Sequence, residues 1–73
     1  MTGTASGNGE IFEFTITPVT NYEFRLDIRY SGDGEHNITG AGLWPTVQKA
    51  RAVAETIAQK RLGGAQISWV ENL

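Results

Sequence analysis

Tyr22-Glu23-Phe24-Arg25-Leu26-Asp27-Ile28-Arg29-Tyr30 alternates apolar and charged residues without a break. Successive side chains of a strand point to opposite faces. One face of this stretch is therefore an oily stripe, and the other carries Glu23, Arg25, Asp27 and Arg29. Such a strand belongs to an antiparallel sheet with one covered side and one wet side.

Ser31-Gly32-Asp33-Gly34 follows with the turn chemistry of a tight hairpin. A third strand is expected from about Glu35 to Leu43, with Ile38 as its inward residue. Gly40-Ala41-Gly42 near its end predicts a bulge, a bend or a close backbone contact. Upstream, Phe12, Phe14 and Ile16 alternate with Ile11, Glu13, Thr15 and Thr17, the period of a first strand. Pro18 has no N–H to give a ladder, so that strand is expected to stop there, with Pro18 to Asn21 as a turn. Met1 to Gly9 holds three Gly, two Thr, a Ser and an Asn. With no apolar period, it reads as a disordered tail over residues 1–9.

Beyond Pro45 the period changes. Thr46 is the expected helix cap. Val47, Ala50, Val53, Ala54, Ile57, Ala58 and Leu62 fall on one half of a helical wheel, and Gln48, Ala52, Glu55, Thr56 and Gln59 on the other. Arg51 and Glu55 have the spacing of a pair across one turn. Lys60 and Arg61 suit the negative end of the dipole, and Gly63-Gly64 supplies the stop. Arg61 lies inside the apolar stripe, where its stem is expected to snorkel along the edge. Ala65 to Val70 alternates again as a last strand; if it pairs in parallel, the helix is a right-handed crossover. The expected fold is α+β over residues 10–73: a three- to four-stranded, mainly antiparallel sheet with one helix on one face, in the order β-β-β-α-β.

Composition narrows the function. The chain has 73 residues, 40% hydrophobic and 10% aromatic, enough for one domain and one core. It has no Cys, so neither disulfides nor thiolate-bound zinc hold it together. A reducing, cytoplasmic setting is the expectation. No apolar run reaches the length of a membrane span, and no signal peptide is expected at this N-terminus. Six basic residues against eight acidic ones give a net charge of −2, which disfavours general affinity for nucleic acid or anionic membranes.

Chemistry is sparse. His36 is the one histidine, in Asp33-Gly34-Glu35-His36-Asn37. The spacing matches no metal-ligand or calcium-loop pattern, and such residues are ordinary in a solvated turn. Gly40-Ala41-Gly42 lacks the Lys-Ser/Thr ending of a phosphate loop and the spacing of a dinucleotide fingerprint. Ser6, Ser31 and Ser68 have no recognisable His and Asp order around them. No catalytic residue, metal or cofactor is assigned, and the chain is expected not to be an enzyme.

Two surfaces remain. The wet sheet face carries Glu13, Thr15, Thr17, Glu23, Arg25, Asp27 and Arg29, with Gln66 and Ser68 as possible additions. Mixed charge on a solvated face explains it. As a β-sheet reader of DNA, it would use Arg25, Arg29, Thr15 and Thr17, with its carboxylates set against phosphates. The second surface involves Trp44, Trp69, Tyr22 and Tyr30. A helix faced with Ala and Val cannot cover all four, so at least one Trp is expected partly exposed, and the chain is expected to dimerise or dock on a protein partner through an edge strand or an aromatic patch.

A Phe-rich first strand, Tyr22-x-Phe24-Arg25-Leu26, a Gly-containing turn, Trp44, and Thr46 with Ala50 opening a helix together resemble the repeat unit of the YegP-like small bacterial proteins. The resemblance spans about Phe12 to Ile57; Pro45 and the strand after the helix depart from it. It implies a small α+β unit and carries over no activity and no site residues. The layout is also similar to the three-stranded arm-binding domains of phage integrases, which are basic where this chain is acidic. The expected role is a binding domain: protein–protein interaction as an adaptor or inhibitor of the kind phages and mobile elements carry, or self-association as a dimer. Nucleic-acid binding through the polar sheet face is the alternative.

Overall fold

The computed structural model describes residues 1–32, 34–64 and 66–70. Six elements follow one another: β1 (Thr2–Gly7), β2 (Glu10–Thr20), β3 (Glu23–Gly32), β4 (Glu35–Trp44), α1 (Val47–Leu62) and β5 (Ser68–Val70). The strands form a single antiparallel sheet in the order β4-β3-β2-β1-β5. Helix α1 packs on one face and carries the chain from one edge of the sheet to the other. No helix among the described residues is long and apolar enough to cross a membrane.

The alternation in β2 and β3 builds the core. Phe12, Phe14, Ile16 and Leu26 are buried on the helix side of the sheet. Against them lie Ala50, Ala54 and Ala58, one helical turn apart, and Leu62. The alanines let the helix backbone approach closely, and the partly buried Val47, Val53 and Ile57 widen its apolar stripe. Thr46 caps the helix, its Oγ1 accepting the Lys49 N–H at 3.1 Å. Gly63 closes it in the left-handed region, φ 65°.

Five strands are present where three to four were expected. The additional one is the stretch read as a tail. Thr2–Gly7 is β1, paired with β2 on one side and β5 on the other. Its helix-facing residues, Gly3 and Ala5, are small because bulky neighbours fill that space. A Cβ on Gly3 would lie 2.6 Å from both Ile67 Cγ2 and Trp69 Cε3. The Asn8-Gly9 turn, at φ 53° and 79°, has the positive angles a tight hairpin requires.

Three further expectations are corrected. Pro18 does not end its strand: β2 runs on to Thr20. Ile16 N–H donates to the Met1 carbonyl at 2.9 Å, so alternate residues of β2 aim their N–H groups toward β1. Pro18 is the next position of that set and lies outside the β1–β2 pairs, so its missing donor breaks none of them. Ile38 is not inward: it sits opposite Arg29, on the wet face, 73% exposed. The last strand is shorter, Ser68–Val70, and pairs antiparallel with β1. Ala65, its expected start, lies outside the described residues.

Candidate interaction surface

The open face of the sheet has no helix over it. The strand register sets its side chains in rows. Thr4, Glu13, Arg29 and Ile38 form one row across β1 to β4; Thr2, Thr15, Asp27 and Gly40 form the next; Thr17, Arg25 and Leu43 form a third. A concavity of about 510 Å³ runs across these rows. Arg25, Arg29, Thr15 and Thr17 are thus brought together, but with carboxylates among them. Arg25 Nε donates to Asp27 Oδ2 at 3.0 Å, and Glu13 stands directly opposite Arg29. The two arginines and two acids cancel. Four of the chain's six basic residues lie instead on α1: Lys49, Arg51, Lys60 and Arg61.

Trp44, Trp69, Tyr22 and Tyr30 do not converge on one patch. Trp44 is half-buried at the end of β4, and its Nε1 donates to the Ala41 carbonyl at 2.9 Å. Trp69 lies over Gly3 near Phe14, with the Arg51 guanidinium 5.2 Å above its ring. Arg51 stacks on this ring, and the expected pair with Glu55 is not formed. Tyr30 packs on Phe12 at 5.0 Å between ring centroids and donates its hydroxyl to Glu10 Oε1 at 3.0 Å. Arg61 snorkels as expected, its guanidinium 5.6 Å from the Phe12 ring and 5.8 Å from that of Tyr30. Tyr22 alone of the four is fully exposed, at 80%, in the β2–β3 turn. The aromatics chiefly complete the core rim.

Among the described residues around the β3–β4 turn no ligand cluster forms. His36 faces the open side, its Nδ1 3.1 Å from Ser31 Oγ. Glu35 is on the opposite face by alternation, and Asp33 lies outside the described residues. No group of three metal-ligating side chains occurs among the described residues. Gln66, placed with the wet face from sequence, lines a groove of about 320 Å³ on the helix side with Arg51, Glu55 and Gln59. Ser68 does join the open face, opposite Thr4.

The edge strand expected from the sequence, without being located there, is β4. β4 is ten residues long and, among the described residues, pairs on one side only, with β3. Hydrogen bonding fixes which of its backbone groups are left over. Met1 and Ile16 exchange both of their backbone bonds, so Ile16 faces β1 and its opposite residue Leu26 turns its N–H and C=O toward β4. Ile28 and Tyr30 follow the same parity and bond Thr39 and Asn37. The N–H and C=O of His36, Ile38 and Gly40 consequently point out of the sheet. The edge contains no Lys and no Pro, the usual guards against strand pairing. Beside it, Ile38 and Leu43 are 73% and 52% exposed. On the helix side a second groove, about 320 Å³, separates β4 from α1, with Phe12, Ile28, Tyr30 and Ile57 below and Glu35, Asn37, Thr39 and Arg61 around it.

Comparison with known proteins yields no match to a family model, a curated protein or a solved structure. The resemblance to the YegP-like proteins rests on the quoted residues alone.

Proposed function

We propose that this chain is a non-enzymatic binding domain that engages another polypeptide through the β4 edge and the exposed Ile38 beside it. The unsatisfied row at His36, Ile38 and Gly40 carries this reading. An added strand satisfies those groups with main-chain hydrogen bonds and buries Ile38, the mode known as β-augmentation. An adaptor or inhibitor needs nothing more than such a surface. The open face supports nucleic-acid binding less well, because Asp27 and Glu13 offset Arg25 and Arg29.

The test compares the wild-type chain with Ile38→Lys as baits, both checked by circular dichroism. The reading expects polypeptides held by the wild type, itself included, to be lost from the variant, because a charge at the edge opposes strand pairing. Equal retention by both would overturn it. Binding to bulk duplex DNA at low salt that fades with salt and requires Arg25 and Arg29 would move the function to nucleic acid.

A further inference from the structure

We propose that the polypeptide that pairs with β4 is a second copy of this chain, aligned antiparallel about a two-fold axis through Ile38. The inference rests on the edge reading above and names its partner. Its basis is self-complementarity. Two antiparallel strands related by a two-fold axis must pair residues symmetrically about it. With the axis at Ile38, Ile38 meets its own copy, His36 meets Gly40, and Gly40 meets His36. Those are the three positions whose backbone groups face outward. An axis one residue away, at Asn37, pairs His36 with Ile38 but sets Gly40 against the Gly34 turn.

The side chains agree with this register. On the open face the two Ile38 side chains meet at the axis, each otherwise 73% exposed. His36 falls against the Gly40 of the other copy, which has no side chain to block it. Behind that Gly40 stands the Asp27 carboxylate, its Oδ1 4.0 Å from where a Gly40 Cβ would be. An imidazole able to donate a hydrogen bond therefore approaches a carboxylate twice, once on each side of the axis. On the helix face Asn37 meets Thr39, a polar pair suited to a cross-strand hydrogen bond. No like charges are set directly opposite each other from His36 to Gly40. The register shift opposite Leu26 then bends the strand away, which limits pairing to this segment.

The chain contains no Cys, so a single Ile38→Cys substitution gives a clean probe. Directly paired residues have Cα atoms about 5.5 Å apart, within the range a disulfide spans. Under mild oxidation Ile38→Cys is expected to form a disulfide-linked dimer, while Val19→Cys, exposed on β2 away from this edge, stays largely unlinked. Light scattering of the wild type at millimolar concentration is expected to give twice the 8.0 kDa of one chain, and Ile38→Lys to give the single mass. A monomeric wild type, or equal cross-linking at positions 38 and 19, would overturn self-pairing. If that monomer still captured another protein in an Ile38-dependent way, the edge reading would survive without it. A dimer insensitive to Ile38→Lys would overturn self-pairing through β4 by locating the contact elsewhere.

Discussion

Single atoms decide much of this fold. Leu26 is fully buried at the centre of β3, under the helix. Leu26→Ala is expected to cost about 2–5 kcal/mol, since a cavity there adds to the lost transfer energy. Urea unfolding should show it as a lower midpoint at an unchanged slope. Gly3 is the opposite case, a place where adding a methyl group does the damage. The new Cβ collides with Ile67 and Trp69, so Gly3→Ala is expected to lose about 1–3 kcal/mol and to shift tryptophan emission to the red. Gly7 is the control. A Cβ there meets only Leu62 Cβ, at 4.0 Å, so Gly7→Ala should leave stability within about 0.5 kcal/mol. Equal losses at the two glycines would mean that the Trp69 contact does not govern the effect.

At the scale of elements, β1 joins the two ends of the chain. It is the strand between β2 and β5, and its Ala5 is part of the core. Removing residues 1–7 should therefore unfold the domain, or leave a state without cooperative melting, whereas loss of a true tail would leave melting unchanged. Circular dichroism against temperature separates the two. The contrast shows what was legible. Phe12, Phe14, Ile16 and the run from Phe24 to Tyr30 declared their faces because their inward residues are large and their outward ones mostly polar or charged, whereas Tyr22, which continued the alternation, lies exposed in the turn before β3. Thr46, Gly63 and the Ala-rich stripe declared the helix in the same way. Gly3 and Ala5 are inward but small, so no apolar period marks β1; the Asn8-Gly9 pair was the available sign of a hairpin. Ile38 misled because it is the strongest apolar residue of β4. Counting back from the Gly32–Glu35 pair sets it opposite Arg29 and hence on the wet face. An edge strand was expected, but its identity was illegible for another reason: which strand is left unpaired depends on where β5 docks, and three residues after a helix do not announce that.

For the molecule as a whole, the distribution of charge and of unsatisfied backbone matters more than any one residue. The sheet face is balanced, the helix is basic, and β4 is the long edge. A perpendicular two-fold axis at Ile38 makes one continuous sheet with both helices on the same side, and the grooves beside Arg61 then face each other across the axis. Small domains bury a modest fraction of their surface, so added burial in a dimer is a sizeable part of their stability. Association that favours the folded state makes melting depend on concentration by mass action. The melting temperature of the wild type is therefore expected to rise steadily with protein concentration in a dilution series. In Ile38→Lys it should stay flat and match the most dilute wild type, because the substituted side chain is exposed in the single chain and contributes little to its own fold. A flat wild-type series across the range where light scattering is read would leave the dimer no thermodynamic weight. A slope retained in the Lys variant would assign the association to a surface other than β4.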